Sequence, residues 1–494
     1  MRSWNGKSSI DEYAFTILLI VILLLIVFVG VYFRVHLSQY VEGEYFIGPD
    51  SYRHVRHIRQ IVFHGTLPKI DSMRYVPKGY RNTLNTIAFP WVIAWSFKIL
   101  SWLFPNISLN KAMALYPVIA ISLGCIVYFL IIKNSFDFLT ASLAALALAI
   151  APSFIGRTNV GYVDTDALVI FLFFLALLFY VLSIDSQQDF PKLLACRLIC
   201  SGILGGIGIL WLGVSIVAWI IFGCDLLIGI YRGSDRKKAV AFIAGAWLYL
   251  ALLLIPLPGN VYLERFLEPF ALAAFIPAIL VSLLYLILLV RSGNFPFLKV
   301  FNGVLSKRVG LLFFAGFLLI YPLYRMREFI IAVLERFLFP FGNDPIMRHI
   351  GELQPAGFGY WWRSYGILLP IGFIGFLLLI LKVCLQSRPK CSRFHVFALP
   401  LEILCIVLPH MFISFFLRQP LWLSLITLIF PIGCALFHTS YLLLKHGTEK
   451  LVLFAIWFLV GFSFNSTAIR FALFFTPIFL LILYFRSFSR NPRR

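Results

Sequence analysis

Uninterrupted apolar stretches of about 18 residues or more recur along the whole of this chain, and that recurrence limits what it can fold into more than any other feature. A run of about 20 apolar residues in helical form crosses a ~30 Å hydrocarbon core. Inside that core the backbone can pair its own N–H and C=O groups only as a helix or a closed barrel, and runs of this length select the helix. The first stretch, Ala14–Phe33, is too long and too uniformly apolar for the core of a signal peptide and lacks a small-residue cleavage site, so it reads as a retained span. Further spans are expected at 112–132, 138–155, 167–184, 198–213, 214–231, 239–257, 268–290, 310–324, 366–385, 396–415, 420–444, 451–467 and 471–485. Composition agrees, since 61% of the 494 residues are hydrophobic and 13% are charged. The expected architecture is an all-α polytopic membrane protein with about 13 to 14 transmembrane helices.

The formal charge of +21 does not point to nucleic acid, because the basic residues sit in short segments beside the spans. Arg232–Lys238, Arg291–Arg308, Arg388–Arg393, Lys445–Lys450 and the terminal Arg486–Arg494 fit cytoplasmic loops under the positive-inside rule, with anionic lipid or a polyanionic ligand as the partner they suit. The eight cysteines fall in or near spans and form no Cys-x-x-Cys pair, so neither a disulfide framework nor a zinc site is inferred. The stretch Leu84–Phe104 is ambiguous. It is apolar and rich in Trp and Phe but holds Pro90 and Lys98, and so reads either as a span or as an interfacial helix. If it does not cross, loops 34–111, 156–166 and 325–365 share the outer side; if it does, the first loop moves to the side opposite the second.

Acidic residues are scarce, 21 in all, so those in the outer loops are informative. Asp50 lies in Gly48-Pro49-Asp50-Ser51-Tyr52-Arg53-His54, where it suits a helix cap for the pattern that follows. Asp164 and Asp166 end the loop Arg157-Thr158-Asn159-Val160-Gly161-Tyr162-Val163-Asp164-Thr165-Asp166, pressed between two apolar spans. One Asp would serve the helix dipole; two at the mouth of a membrane helix repel each other unless a cation lies between them. All-oxygen ligation of that kind suits Mg²⁺ or Mn²⁺. Glu352, in His349-Ile350-Gly351-Glu352-Leu353-Gln354-Pro355, stands late in an outer loop of about 40 residues, a length that favours a functional loop. Arg470, between two closely spaced spans, either snorkels to the interface or holds phosphate in its planar fork. Asp225 and Glu402 fall inside expected spans, where each either pairs with an Arg or marks a polar cavity.

Taken in order, four blocks resemble the catalytic subunit of oligosaccharyltransferase, the C-type membrane glycosyltransferase family. Asp50-Ser51-Tyr52-Arg53-His54 is similar to the family's first-loop aspartate motif, and Arg157 through Asp166 to its second-loop motif, the most specific of the four. Glu352-Leu353-Gln354-Pro355 resembles the acidic motif of the large fifth outer loop, and Ala468-Ile469-Arg470-Phe471-Ala472 the Arg-Phe motif that contacts the lipid diphosphate. Two features depart from the family. Its Thr-Ile-x-Glu reads His349-Ile350-Gly351-Glu352 here. Most members also continue into an outer soluble domain bearing Trp-Trp-Asp-Tyr-Gly, which grips the acceptor's Ser or Thr. Tyr360-Trp361-Trp362-Arg363-Ser364-Tyr365-Gly366 echoes that motif out of place, and its function is not carried over.

The resemblance implies a C-type glycosyltransferase fold and puts 84–104 in the first outer loop; in departure from most members, residues 1–494 are expected to form one transmembrane catalytic domain with no C-terminal soluble domain. It implies transfer of a glycan, with inversion, from a polyprenyl or dolichyl (di)phosphate carrier to asparagine of an acceptor protein, on the extracytoplasmic face of the cell membrane. Asp50, Asp164, Asp166 and Glu352 would hold Mg²⁺ or Mn²⁺, Asp50 and Glu352 would engage the acceptor amide, and Arg157 and Arg470 would hold the lipid phosphate. A separate chain is one expected source of acceptor recognition. Two other readings stay open: the same donor chemistry with a hydroxyl, envelope polysaccharide or lipid acceptor, and a lipid-glycan transporter, which would line a midplane path with charge rather than cluster it at one face.

Overall fold

A computed structural model describes residues 9–36, 45–186, 189–231, 236–256 and 259–260, with 359, 362–363, 453–454 and 457. The described chain is helical apart from a short two-stranded hairpin. Helix α1 (Ser9–His36) is 28 residues long, about 42 Å at 1.5 Å per residue, ample for one crossing. Beyond it come α2 (Pro49–His64), β1 (Ile70–Asp71), β2 (Tyr80–Arg81), α3 (Leu84–Leu103), α4 (Leu109–Ser135), α5 (Phe138–Ile150) and the short α6 (Pro152–Ile155). Then follow α7 (Asp166–Asp185), α8 (Phe190–Leu210), α9 (Leu212–Tyr231) and α10 (Arg236–Leu253). The strands pair antiparallel, with Ile70 opposite Arg81 and Asp71 opposite Tyr80.

Local chemistry sets many of these boundaries. Ser108 opens α4 by accepting the Lys111 N–H at 3.2 Å, and Asp137 opens α5 by accepting the Thr140 N–H at 3.0 Å. Asp189 and Pro191 start α8 well before the 198–213 span expected from hydropathy. The first turns of α8 carry Lys192 and Arg197, which mask the helix in an apolar count, yet Arg197 is buried, its guanidinium 3.7 Å from the Tyr180 ring centroid. Tyr180 in turn donates to Asp225 Oδ2 at 2.7 Å. The acidic residue within the span is therefore tied through a tyrosine to a buried arginine; Glu402 lies outside the described residues.

Packing divides into two regions. The larger core is built from α4, α5, α7, α8, α9 and α10 around Tyr128, Phe173, Phe174 and Tyr249. Between membrane helices there is no water to expel, so close approach depends on small side chains. A Cβ on Gly205 would come within 2.9 Å of Leu252, and one on Gly208 within 2.8 Å of Leu253, so α8 and α10 touch almost backbone to side chain. The smaller core joins α2, α3, the start of α4 and the 160–163 loop through Ile58, Phe89, Met113 and Val163.

That second core gathers loop ends at one end of the bundle. Arg34 near the end of α1 reaches Ala149 near the end of α5, and Gly161 donates to the Ala114 carbonyl in α4 at 2.9 Å. The start of α3 is fastened there as well, with Leu84 N–H donating to Gly259 O at 2.8 Å and Asn85 Nδ2 to Ile209 O at 3.0 Å. At its other end α3 passes through a short turn into α4, whose Asn110 accepts from Arg59 of α2 at 3.0 Å. By length and apolar content α3 is one of five described helices able to cross a membrane, with α1, α4, α7 and α8. Its two ends nevertheless meet the same end of the bundle, so it lies along that end rather than through it. That placement favours the non-crossing reading of 84–104.

Candidate active site

At that loop-bearing end, α2 and the 157–166 loop are fastened into one unit. Backbone pairing begins it, with Ile47 N–H donating to Gly161 O at 2.9 Å. Gly48 (φ 82°) and Gly161 (φ 83°) both occupy the left-handed region, which a side chain would strain, so these two turns are glycine for conformational reasons. Ser51 then spans the joint: its hydroxyl donates to Ile47 O at 2.5 Å and accepts the Val163 N–H at 2.9 Å. From the other side Tyr116 of α4 donates to the Asp164 carbonyl.

Asp50 is not the cap of α2. Gly48 is, and Asp50 sits in the first turn, where the helix dipole favours a carboxylate, with its side chain 65% exposed. Arg53 approaches Asp50 Oδ1 at 3.8 Å and donates to His54 Nε2 at 2.8 Å, and that same nitrogen lies 3.6 Å from Asp164 Oδ1. A guanidinium only donates, so His54 accepts with Nε2 and is a neutral ring. Burial favours the same state, lowering its pKa against the upward pull of Asp164. The ring stands edge-on to Phe89, centroids 4.7 Å apart. Asp50 and Asp164, from two different loops, thus flank one Arg–His pair at a single end of the bundle.

The Asp-x-Asp pair is arranged differently from two bare, repelling carboxylates. Asp164 Oδ1 accepts the Thr165 N–H at 2.7 Å and its hydroxyl at 3.2 Å, which helps cap α7. Asp166 is buried in the first turn of α7 and receives Arg157 Nη1 on Oδ2 at 3.0 Å. Arg157 also reaches the Tyr162 hydroxyl at 3.4 Å. Each acid therefore has its own partner, while the shared setting stays rich in carboxylate oxygen. Among the described residues no three His, Cys, Asp or Glu stand close enough to hold a metal ion by themselves. Glu352 and Arg470 lie outside the described residues. Carboxylate oxygen is the donor a hard divalent cation takes, and Asp50, Asp164 and Asp166 bring it to this end of the bundle, so the residues present fit such an ion as part of a larger set of ligands.

Two supports of this site carried little signal in the sequence. His54 follows Asp50 by four positions, one helical turn, and only that spacing could have placed both on neighbouring faces. Arg34 looks like one more basic residue at the end of a span, yet it is fully buried. It donates from Nε to Thr158 Oγ1 at 2.9 Å and from Nη1 to Gly30 O and Ala149 O, both at 2.9 Å. Its guanidinium therefore braces the residue next to Arg157.

Comparison with known proteins bears on the same region. The sequence matches the family described as oligosaccharyl transferase STT3, N-terminal, over residues 17–491. A relative from Archaeoglobus fulgidus, dolichyl-phosphooligosaccharide-protein glycotransferase 1, is 26% identical over 217 residues, 44% of this chain and 33% of that protein. The fold is similar to that of the archaeal oligosaccharyltransferase AglB of the same organism, solved with an inhibitory peptide and a dolichol-phosphate. There the TM-score is 0.65 at 15% identity over 97% of this chain and 50% of that one. The Archaeoglobus fulgidus oligosaccharyltransferase solved with Zn and sulfate gives a TM-score of 0.51 at 16% identity, over 90% of this chain and 53% of that one. This chain thus spans a third to a half of the length of these relatives. The architecture is the helical, multi-pass membrane fold of that archaeal oligosaccharyltransferase.

Proposed function

The chain belongs to the oligosaccharyl transferase STT3 family, and from that premise we propose that it transfers a glycan from a polyprenyl or dolichyl (di)phosphate carrier to the asparagine side chain of acceptor proteins. In this reaction the acceptor amide nitrogen attacks the anomeric carbon and forms the N-glycosidic bond. The bond from that carbon to the carrier's phosphate oxygen breaks with inversion, and the amide proton passes to a carboxylate or to water. The amide lone pair is delocalised and weakly nucleophilic, so two carboxylates, Asp50 and Glu352, are assigned to hold its N–H groups out of conjugation. Arg157 and Arg470 are assigned to the departing phosphate, whose growing charge a guanidinium fork matches. Asp50, Asp164, Asp166 and Glu352 would hold Mg²⁺ or Mn²⁺, which when bound supplies positive charge to the leaving group. The Archaeoglobus fulgidus oligosaccharyltransferase has been solved in complex with Zn and sulfate, a divalent cation and an oxyanion. The active site is assigned to the extracytoplasmic face of the cell membrane, with a separate chain as one source of acceptor recognition.

The observation that carries this reading is the joining of the first-loop Asp50 helix to the Asp164 loop through Ser51, Arg53 and His54. A transporter would place such charges along a midplane path; among the described residues Asp50, Asp164 and Asp166 stand together at one end. The test is transfer from a lipid-linked oligosaccharide to a fluorescent peptide containing Asn-x-Thr, by the purified protein with Mn²⁺. Wild type should glycosylate the peptide, chelation should stop it, and Asp164→Ala should lower the rate by at least 100-fold. Equal glycosylation of a Gln-x-Thr peptide would defeat the asparagine assignment, and full activity of Asp164→Ala would defeat the metal site.

A further inference from the structure

Along α2, a second stripe of side chains lines an open groove of about 400 Å³. Tyr52, Arg56, Arg59, Gln60 and Phe63 recur at the three- and four-residue spacing of one helix face, and Phe46 closes one end. This face is distinct from the one that carries Ser51, His54 and Ile58 into the core. None of the lining residues is acidic. The volume and the pairing of aromatic rings with a few polar groups fall in the range of small-ligand sites.

The polar groups are held in place before any ligand arrives. Arg59 is fixed by its 3.0 Å bond to Asn110 Oδ1 in α4. Arg56 is fixed by a two-pronged pairing with Asp71, Nη1 to Oδ1 at 2.8 Å and Nη2 to Oδ2. The rings, by contrast, are presented outward, Phe63 72% and Tyr52 48% exposed. Flat apolar faces beside anchored guanidinium and amide groups suit a ligand with C–H-rich ring faces and an equatorial rim of hydroxyls, which describes a pyranose. Arg59 adds a fork for a carboxylate. The stripe starts on the first turns of the same helix that carries Asp50, so a sugar chain of a few residues at Asp50 has the length to reach it around that helix.

We propose that this groove binds the glycan of the donor beyond its first sugar and favours glycans that carry carboxylate-bearing sugars. The inference rests on the glycan-transfer reading and names a substrate class for it. An acceptor peptide has no need of stacked ring faces, and an anionic lipid headgroup would use the charges but not the exposed rings.

Binding can be read without any transfer. Detergent-solubilised full-length protein is titrated with a free tetrasaccharide ending in glucuronic acid and with its glucose-ended counterpart, neither carrying lipid or phosphate. Wild type should bind the acidic sugar about tenfold more tightly than the neutral one, the effect of about one charge-assisted hydrogen-bonded pair. Arg59→Ala should abolish that preference while keeping neutral-sugar binding, and Phe63→Ala should weaken both. Both side chains are exposed, so the variants should melt with wild type. Unchanged sugar binding in both variants overturns the proposal. So does a result in which Arg59→Ala weakens only an Asn-x-Thr peptide or phosphatidylserine vesicles. A protein that binds the sugars as described but transfers none keeps the groove and loses the reaction, so the two failures are separable.

Discussion

A buried arginine with only a hydroxyl and backbone carbonyls for its bonds is costly in a membrane protein, where a charge at a helix centre costs about 2.5–3.5 kcal/mol on insertion scales. Arg34 offsets part of that by lying near the end of α1 and by pairing with Gly30 O, Ala149 O and Thr158 Oγ1. Its placement serves the Thr158 turn, since Thr158 also donates to Phe154 O at 2.7 Å and so fixes the loop that aims Arg157 at Asp166. Arg34→Gln is too short to keep all three bonds. It should cost about 2 kcal/mol, the scale of one hydrogen bond to a charged donor, read as a lower melting temperature in detergent. Arg34→Lys should recover part of the loss. A variant Arg34→Gln that melts with wild type would mean that the loop holds itself. The sequence could flag Asp50, Asp164 and Asp166 because acids are rare in this chain. It could not flag Arg34, because burial at this position depends on where α5 ends, which is a property of the folded bundle.

Among elements, the hairpin of β1 and β2 depends on one carboxylate. Asp71 is buried, takes both prongs of Arg56, accepts His57 Nε2 at 3.1 Å and accepts the Met73 N–H at 3.1 Å. Arg56 first and burial second set its ionisation, and the net result holds the carboxyl far below the usual carboxylate range. His57 goes the other way from a typical ion pair: burial lowers its pKa, more than Asp71 raises it, so the ring is neutral. Both depressed values have the same sign in pH. The stabilisation is present above the unfolded-state pKa values and is lost as pH falls, first below ~6.5 as the unfolded histidine takes up its proton, then below ~3.9 for the aspartate. The hydrogen-exchange protection of residues 65–83, taken relative to the intrinsic exchange rate at each pH, should therefore fall between pH 7 and pH 4, ahead of that of the α4–α7 core. Asp71→Asn should show the lower protection already at pH 7, with a loss of about 3 kcal/mol from stranding Arg56. Protection that stays unchanged down to pH 4 would mean that Asp71 does not clamp the hairpin. None of this was legible in the sequence, where 65–83 reads only as part of a long polar loop. The pairing of Asp71 with residues of α2 is a contact between elements that no periodicity announces.

At the scale of the molecule, hydropathy found the helices because the bilayer imposes length on them, and it set α4, α7 and α9 within a few residues of their observed ends. It misplaced the start of α8, where Lys192 and Arg197 interrupt the apolar count although Arg197 is folded against Tyr180. It also left α3 undecided, since length and apolar content cannot tell a crossing helix from one lying on the surface of the bundle. The candidate site depends on that distinction: if α3 crossed, α4 would run the other way and the 157–166 loop would leave α2 behind. Exposed Trp95, Ile99, Trp102, Leu103 and Phe104 give α3 an apolar outer side with Lys98 against Trp95, the pattern of a helix resting at a membrane interface. Cysteines introduced on either side of α3 decide the matter. Lys78→Cys and Asn106→Cys should react with an impermeant maleimide from the same side of sealed vesicles, and Asp185→Cys, at the far end of α7, from the opposite side, each compared with the unsubstituted protein. Labelling of positions 78 and 106 from opposite sides would put Asp50 and Asp164 on different faces of the membrane, and no arrangement of the remaining chain could then bring the two acids to one glycan.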